Sequence, residues 1–180
     1  MREALGDQLG INESRESLAE VNIADGQPAQ AEKLLLQARD AFHEAESQDQ
    51  EIAVVGDLAH ALLDQGKKAD AVKAIASIRA LADRTENPSV RSAFLIEAAR
   101  VDAVSGKAAE ARAALDRALQ LASAHGFVLT QLRAKLAAAE IERKQGDAVK
   151  ADAALAGIRE EALSRGLPLI ARQAENPRKP

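Results

Sequence analysis

Residues able to do chemistry are few and poorly spaced. His43, His60 and His125 do not recur at metal-ligand intervals. Asp57-Leu-Ala-His60 sets a carboxylate and an imidazole one helical turn apart, but two ligands do not close a metal site. Gly66-Lys67 and Gly106-Lys107 look like the end of a phosphate loop. Such a loop needs a second Gly five residues earlier and Ser or Thr after the Lys. Those places hold Ala61 and Val101, then Lys68 and Ala108. Ser92, Ser123 and Ser164 have no motif that would hold a base beside them. Ser123 and His125 diverge, because i and i+2 do not face each other on a helix. Glu160-Glu161 reads as a pair of solvated helix positions. The chain has no Cys, so a thiol nucleophile, a thiolate metal site and a disulfide are excluded. The expectation is no enzyme, no cofactor and no metal.

The elements that would position any site are helices. Of 180 residues 41 are alanine, against three Phe, two Thr and no Trp or Tyr. So few β-branched and aromatic residues argue against a sheet. No apolar run approaches the roughly 18–20 residues that span a bilayer, and the start, Met-Arg-Glu-Ala-Leu-Gly-Asp, lacks the apolar core of a signal peptide. The class expected is all-α, cytoplasmic, with no membrane contact. Net charge is −4. Residues 1–90 hold 9 basic and 17 acidic side chains, and residues 91–180 hold 15 and 11. This polarisation either steers a charged partner or is ordinary drift among solvated helix faces.

Periodicity organises the alanines. Gly26, Gly66, Gly106 and Gly146 stand 40 residues apart. Seven residues before each is Ala19, Ala59, Ala99 or Ala139; five after is Ala31, Ala71, Ala111 or Ala151. Nine after is Leu35, Ile75, Leu115 or Leu155. Each period reads as two helices joined at the Gly, which takes a left-handed conformation without a Cβ penalty. Pro28 falls in the first turn of a second helix, where its missing N–H matters little. Ala31, Leu35, Ala38 and Phe42 then follow at steps of four, three and four, one helical face. Pro88 and Pro168 start first helices; Gly126 and Gly166 end second ones. Gly6 falls in the column of Gly126 and Gly166. The organisation expected is the tail of a preceding repeat at 1–10 and four repeats at 11–50, 51–90, 91–130 and 131–170. A partial capping helix and polar tail follow at 168–180. On this reading the chain is a fragment cut from a longer protein.

A small residue in the first helix, a Gly before the turn and small-aliphatic spacing in the second helix resemble tetratricopeptide (TPR) repeats. Ala59, Gly66, Ala71, Ile75 and Ile78 carry the resemblance in the second repeat. It covers about residues 11–170. Two departures are plain. Leu18, Leu58, Ala98 and Ala138 replace the bulky aromatics of the first helix, and the period is 40. The chain is most similar to the Ala-rich C-terminal repeats of large bacterial regulatory proteins, receptor-like Ser/Thr kinases or transcriptional regulators. Gly166-Leu-Pro-Leu-Ile-Ala-Arg172 looks like their closing segment.

The resemblance implies a right-handed α-α superhelix, a TPR-like solenoid of about four helix pairs plus partial terminal helices, with first helices lining a concave groove. It assigns Glu20, His60, Arg100 and Glu140 to the groove, with Glu13, Glu16, Ile96, Arg133, Leu136, Arg143 and Lys144 nearby. The groove would be acidic at its start, apolar in its middle and basic at its end. The function implied is a non-catalytic scaffold binding a protein or peptide. Glu16, Glu20, Gly56 and His60 disfavour the TPR subset that grips carboxylate termini with Lys, Asn and Arg. Arg133, Lys135, Arg143, Lys144 and Lys150 make the last repeat basic, but with no Tyr or Trp to stack bases nucleic acid is not the expected partner. The alternative function is a structural or oligomerisation module, self-associating through exposed solenoid ends.

Overall fold

A computed structural model describes residues 8–144 and 147–175. Gly6, Gly146, the segment 1–7 and the tail 176–180 lie outside the described residues. Among those described, the chain is all-α, with nine helices and no strand. They are α1 Gln8–Ala24, α2 Pro28–Glu44, α3 Gln48–Asp64, α4 Lys68–Ala82, α5 Pro88–Val104, α6 Ala108–Ala124, α7 Val128–Lys144, α8 Ala148–Ser164 and α9 Pro168–Glu175.

The 40-residue period has a mechanical origin. Seven of the helices are 17 residues long. Three-residue turns join most of them, so one helix and one turn make half a period. The turns close alike. In each, the N–H just past the turn Gly donates to the carbonyl five residues back. Examples are Gln27 to Asn22 at 2.8 Å, Lys67 to Leu62 at 2.9 Å and Lys107 to Asp102 at 2.9 Å. This bond requires a left-handed residue between its ends, and Gly26, Gly66 and Gly106 have φ of 71°, 74° and 78°. Glu46 occupies the same conformation, φ 52°, where the later turns have Gly126 and Gly166.

The α4–α5 connection is built differently. α4 has 15 residues, and the connection takes up the difference, so the period survives. Asp49 on α3 holds it, accepting hydrogen bonds from Thr85 Oγ1 at 2.7 Å and Asn87 Nδ2 at 3.0 Å. Asn87 Oδ1 in turn accepts from the N–H groups of Ser89 and Val90, capping α5.

The chain divides into two compact units, Met1–Val90 and Arg91–Pro180. In the first, α1 packs on α2, α2 on α3 and α3 on α4, and α1 also touches α3. The predicted second-helix face is fully buried: Ala31, Leu35, Ala38 and Phe42 are all 0% exposed. In the second unit, α6 packs on α7, α7 on α8 and α8 on α9. One cluster joins Ile96 and Ala99 of α5, Ala111, Leu115 and Ala118 of α6, and Ala134 and Ala137 of α7. Another joins Leu132, Leu136 and Ala139 of α7, Leu155, Ile158 and Ala162 of α8, and Ile170, Ala171 and Ala174 of α9. Both Ala columns are buried throughout, Ala19, Ala59, Ala99 and Ala139 in first helices and Ala31, Ala71, Ala111 and Ala151 in second helices. A larger side chain there would force the paired backbones apart.

Candidate functional site

First helices carry the charged residues singled out from the sequence. In the first unit, Glu13, Glu16 and Glu20 recur along α1 at intervals of three and four, so they share one face. Glu13 is exposed, while Glu16 and Glu20 are half-buried. On α3 the corresponding face holds Asp57, His60 and Asp64, and His60 is buried at 9% exposure. This face therefore concentrates five carboxylates and one imidazole on two neighbouring helices. Asp57 and Asp64 belong to the acidic face though the groove column omitted them. Their spacing of three and four around His60 was the signal for them.

The second unit differs from expectation at four positions. Ile96 and Leu136 are core residues, 1% and 2% exposed. Each sits in one of the two apolar clusters, so neither offers surface to a ligand's apolar anchor. Arg100 and Glu140 are also buried, at 9% and 6%, and they bind one another. Arg100 Nη1 donates to Glu140 Oε2 across from α5 to α7, and Arg100 Nε lies 3.3 Å from Glu97 Oε2. Two carboxylates thus flank one guanidinium, and the opposite charges offset part of the desolvation of the three groups. The position expected to take a ligand's acidic group is filled by the protein's own.

The basic residues that keep surface lie on α7. Arg133 is half-buried, Lys144 is exposed, and Arg143 is half-buried with its Nε 3.6 Å from Asp152 Oδ1. Lys135 donates to Glu161 of α8 at 2.8 Å. That hydrogen bond is the main reason the Glu161 carboxyl titrates below its ordinary value, against a smaller opposing effect of burial. An equivalent contact ties α2 to the turn between α3 and α4. Lys67 Nζ and Gln65 Nε2 donate to Glu32 Oε2 at 2.7 and 2.8 Å, and the Lys67 bond likewise lowers the Glu32 carboxyl.

Among the described residues no three His, Asp or Glu side chains converge as metal ligands, and no helix is long and apolar enough to cross a membrane. A cavity of about 500 Å³ lies beside the start of α3 in the first unit, lined by Gln48, Asp49, Ile52, Leu81, Arg84 and Thr85 among others. The Asp49 carboxylate in its wall is already taken up by Thr85 and Asn87, so the cavity gathers no group poised for chemistry.

Sequential pairs of helices with small residues at their contacts define an all-α helical-repeat protein of the TPR-like kind. No family model and no curated protein matches the chain. Among solved structures it is similar to a Rap protein, crystallised in complex with Competence and Sporulation Factor. The TM-score is 0.70 at 20% identity, and the likeness covers 90% of this chain and 45% of that one. The chain thus spans less than half of that protein's length. At this identity the likeness is one of fold.

Proposed function

We propose that the chain is a non-catalytic module that binds a protein or peptide segment on its first-helix faces. The observation that carries this reading is the segregation of charge on α1 and α3, where five carboxylates recur at helical spacing. The fold is also that of a Rap protein crystallised with Competence and Sporulation Factor, which supports use of the scaffold for a proteinaceous ligand. Glu13, Glu16 and Glu20 would take basic side chains. Arg133, Arg143 and Lys144 would take acidic ones. Exposed charges are individually worth little, so affinity would accumulate over an extended stretch and fall with salt. On the same reading the module works in the cytoplasm, within a larger bacterial regulatory protein.

An array of basic, acidic and neutral peptides tests the proposal. Glu13→Lys combined with Glu20→Lys should abolish capture of basic peptides and leave capture of acidic ones. Arg143→Glu combined with Lys144→Glu should do the reverse. Profiles unchanged in both variants, with helicity retained, would overturn the groove reading.

A further inference from the structure

The repeat departs from its own pattern around the cavity of the first unit. That cavity, of about 500 Å³, is lined from two segments. One is the α2–α3 turn with the start of α3; the other is the end of α4 with the α4–α5 connection. Where two later turns have Gly126 and Gly166, the same column holds Glu46 and Glu86, and both line the cavity. Glu46 keeps the left-handed conformation of those glycines, φ 52° against 69° and 70°, which a side chain adopts only at a cost. Asp49 stands in the column of Leu9, Leu129 and Leu169. α4 stops at Ala82, and five residues rather than three lead to α5. Arg84, Thr85, Glu86 and Asn87 of that connection all line the cavity. Departures from local rules gather where a protein gives up stability for function.

We propose that this cavity binds a small zwitterion, a molecule of dipeptide size with a free ammonium and a free carboxylate. Its volume falls within the roughly 300–1,000 Å³ of small-molecule sites. The two segments bring opposite charges to it, Glu46 from the α2–α3 turn and Arg84 from the α4–α5 connection. These charges are not spent on each other. Among the described residues the Arg84 side chain makes one hydrogen bond, from Nε to the Ala80 carbonyl at 3.2 Å, and the Glu46 and Glu86 carboxylates make none. The bond to Ala80 anchors the guanidinium and leaves Nη1 and Nη2 open, a fork that takes a carboxylate by two hydrogen bonds. Glu46 and Glu86 take the ammonium. Asp49 is occupied, accepting from Thr85 and Asn87 at 2.7 and 3.0 Å, so its part is to tie the two segments together. Ile52 and Leu81 give the apolar part of the lining, against which the ligand's carbon atoms rest. Glu46 and Arg84 are exposed, so each contributes little alone and a ligand must carry both charges to bind. Glu13, Glu20, Arg143 and Lys144 lie outside this lining, so the proposal and the groove reading stand or fall separately.

Amide chemical shifts of the full chain, followed by NMR while alanyl-alanine is added into the millimolar range, test the proposal. Saturable shifts should concentrate in residues 46–52 and 81–87. Two blocked probes, N-acetyl-alanyl-alanine and alanyl-alanine amide, should each bind at least tenfold more weakly. Arg84→Gln should bind the dipeptide and its amide equally, because the carboxylate has lost its partner. Glu46→Gly removes a carboxylate and suits the left-handed backbone, so it should weaken the dipeptide at least fivefold while the melting temperature stays level or rises. That variant separates lost binding from lost folding. Shifts that never saturate, shifts centred outside the two segments, or blocked probes that bind as well as the dipeptide would each overturn the proposal.

Discussion

Arg100 shows what a column of repeat positions conveys and what it omits. The 40-residue register puts Arg100 and Glu140 in the same column of successive repeats, and the two bind one another. Opposite charges at equivalent places of stacked helices are within reach of one another, so the pairing itself was legible. Depth was not. A column fixes the angle of a residue around its helix, while burial depends on how closely the next helix approaches, and small residues such as Ala99 and Ala137 bring α5 and α7 close. For the same reason Ile96 and Leu136, assigned to a groove by analogy, are sealed in the core. Their apolar nature, against Glu16 in the first repeat, was the available hint. The network makes a prediction. Arg100→Met leaves Glu97 and Glu140 facing each other without a cation and should destabilise by about 3–5 kcal/mol, the range for breaking a buried pair. Glu140→Gln keeps a hydrogen-bond acceptor and leaves Glu97 as the counter-charge, so it should cost clearly less. Urea unfolding of both variants checks the order.

At the scale of helices, the sequence was most informative where backbone sterics dictate residue type. Gly26, Gly66 and Gly106 mark the left-handed turn residues, and Pro28, Pro88 and Pro168 mark helix starts. The α4–α5 connection escaped this reading because its closure uses side chains, Asp49 with Thr85 and Asn87, that leave no periodic trace. Helix contact through alanine gives a sharp test. Ala99 and Ala111 are 0% and 1% exposed in one cluster, so Ala99→Leu or Ala111→Leu should overpack the α5–α6 contact and cost about 1–3 kcal/mol. A melting temperature unchanged in both would contradict the packing.

The carboxylates that tie neighbouring elements add a pH signature. Lys67 holds Glu32 below its ordinary value of 4.5. A group depressed by folding contributes stability that is complete above its unfolded value and is lost as the pH falls through the folded one. Glu32→Gln should therefore lower the melting temperature slightly at pH 7 and flatten its decline between about pH 5 and pH 3. Lys67 is well exposed, so solvent screening keeps the effect small.

Across the whole molecule, stability should follow the order of the chain. Helices pack on their sequence neighbours, and the division at residue 90 coincides with the change in net charge from −8 to +4 read from the sequence. In such nearest-neighbour architectures a local loss decays with distance along the chain rather than spreading evenly. Phe42 is the largest fully buried side chain and lies at the end of α2, in the unit formed by α1 to α4. Phe42→Ala should remove about 3–5 kcal/mol from its surroundings. Hydrogen exchange followed by mass spectrometry reads where that loss appears. Amides of α1, α2 and α3 should exchange faster by orders of magnitude, while those of α7, α8 and α9 should keep most of their protection. An equal loss of protection from α1 to α9 would mean that the chain unfolds as one cooperative body, and that its two units are a feature of geometry with no counterpart in energy.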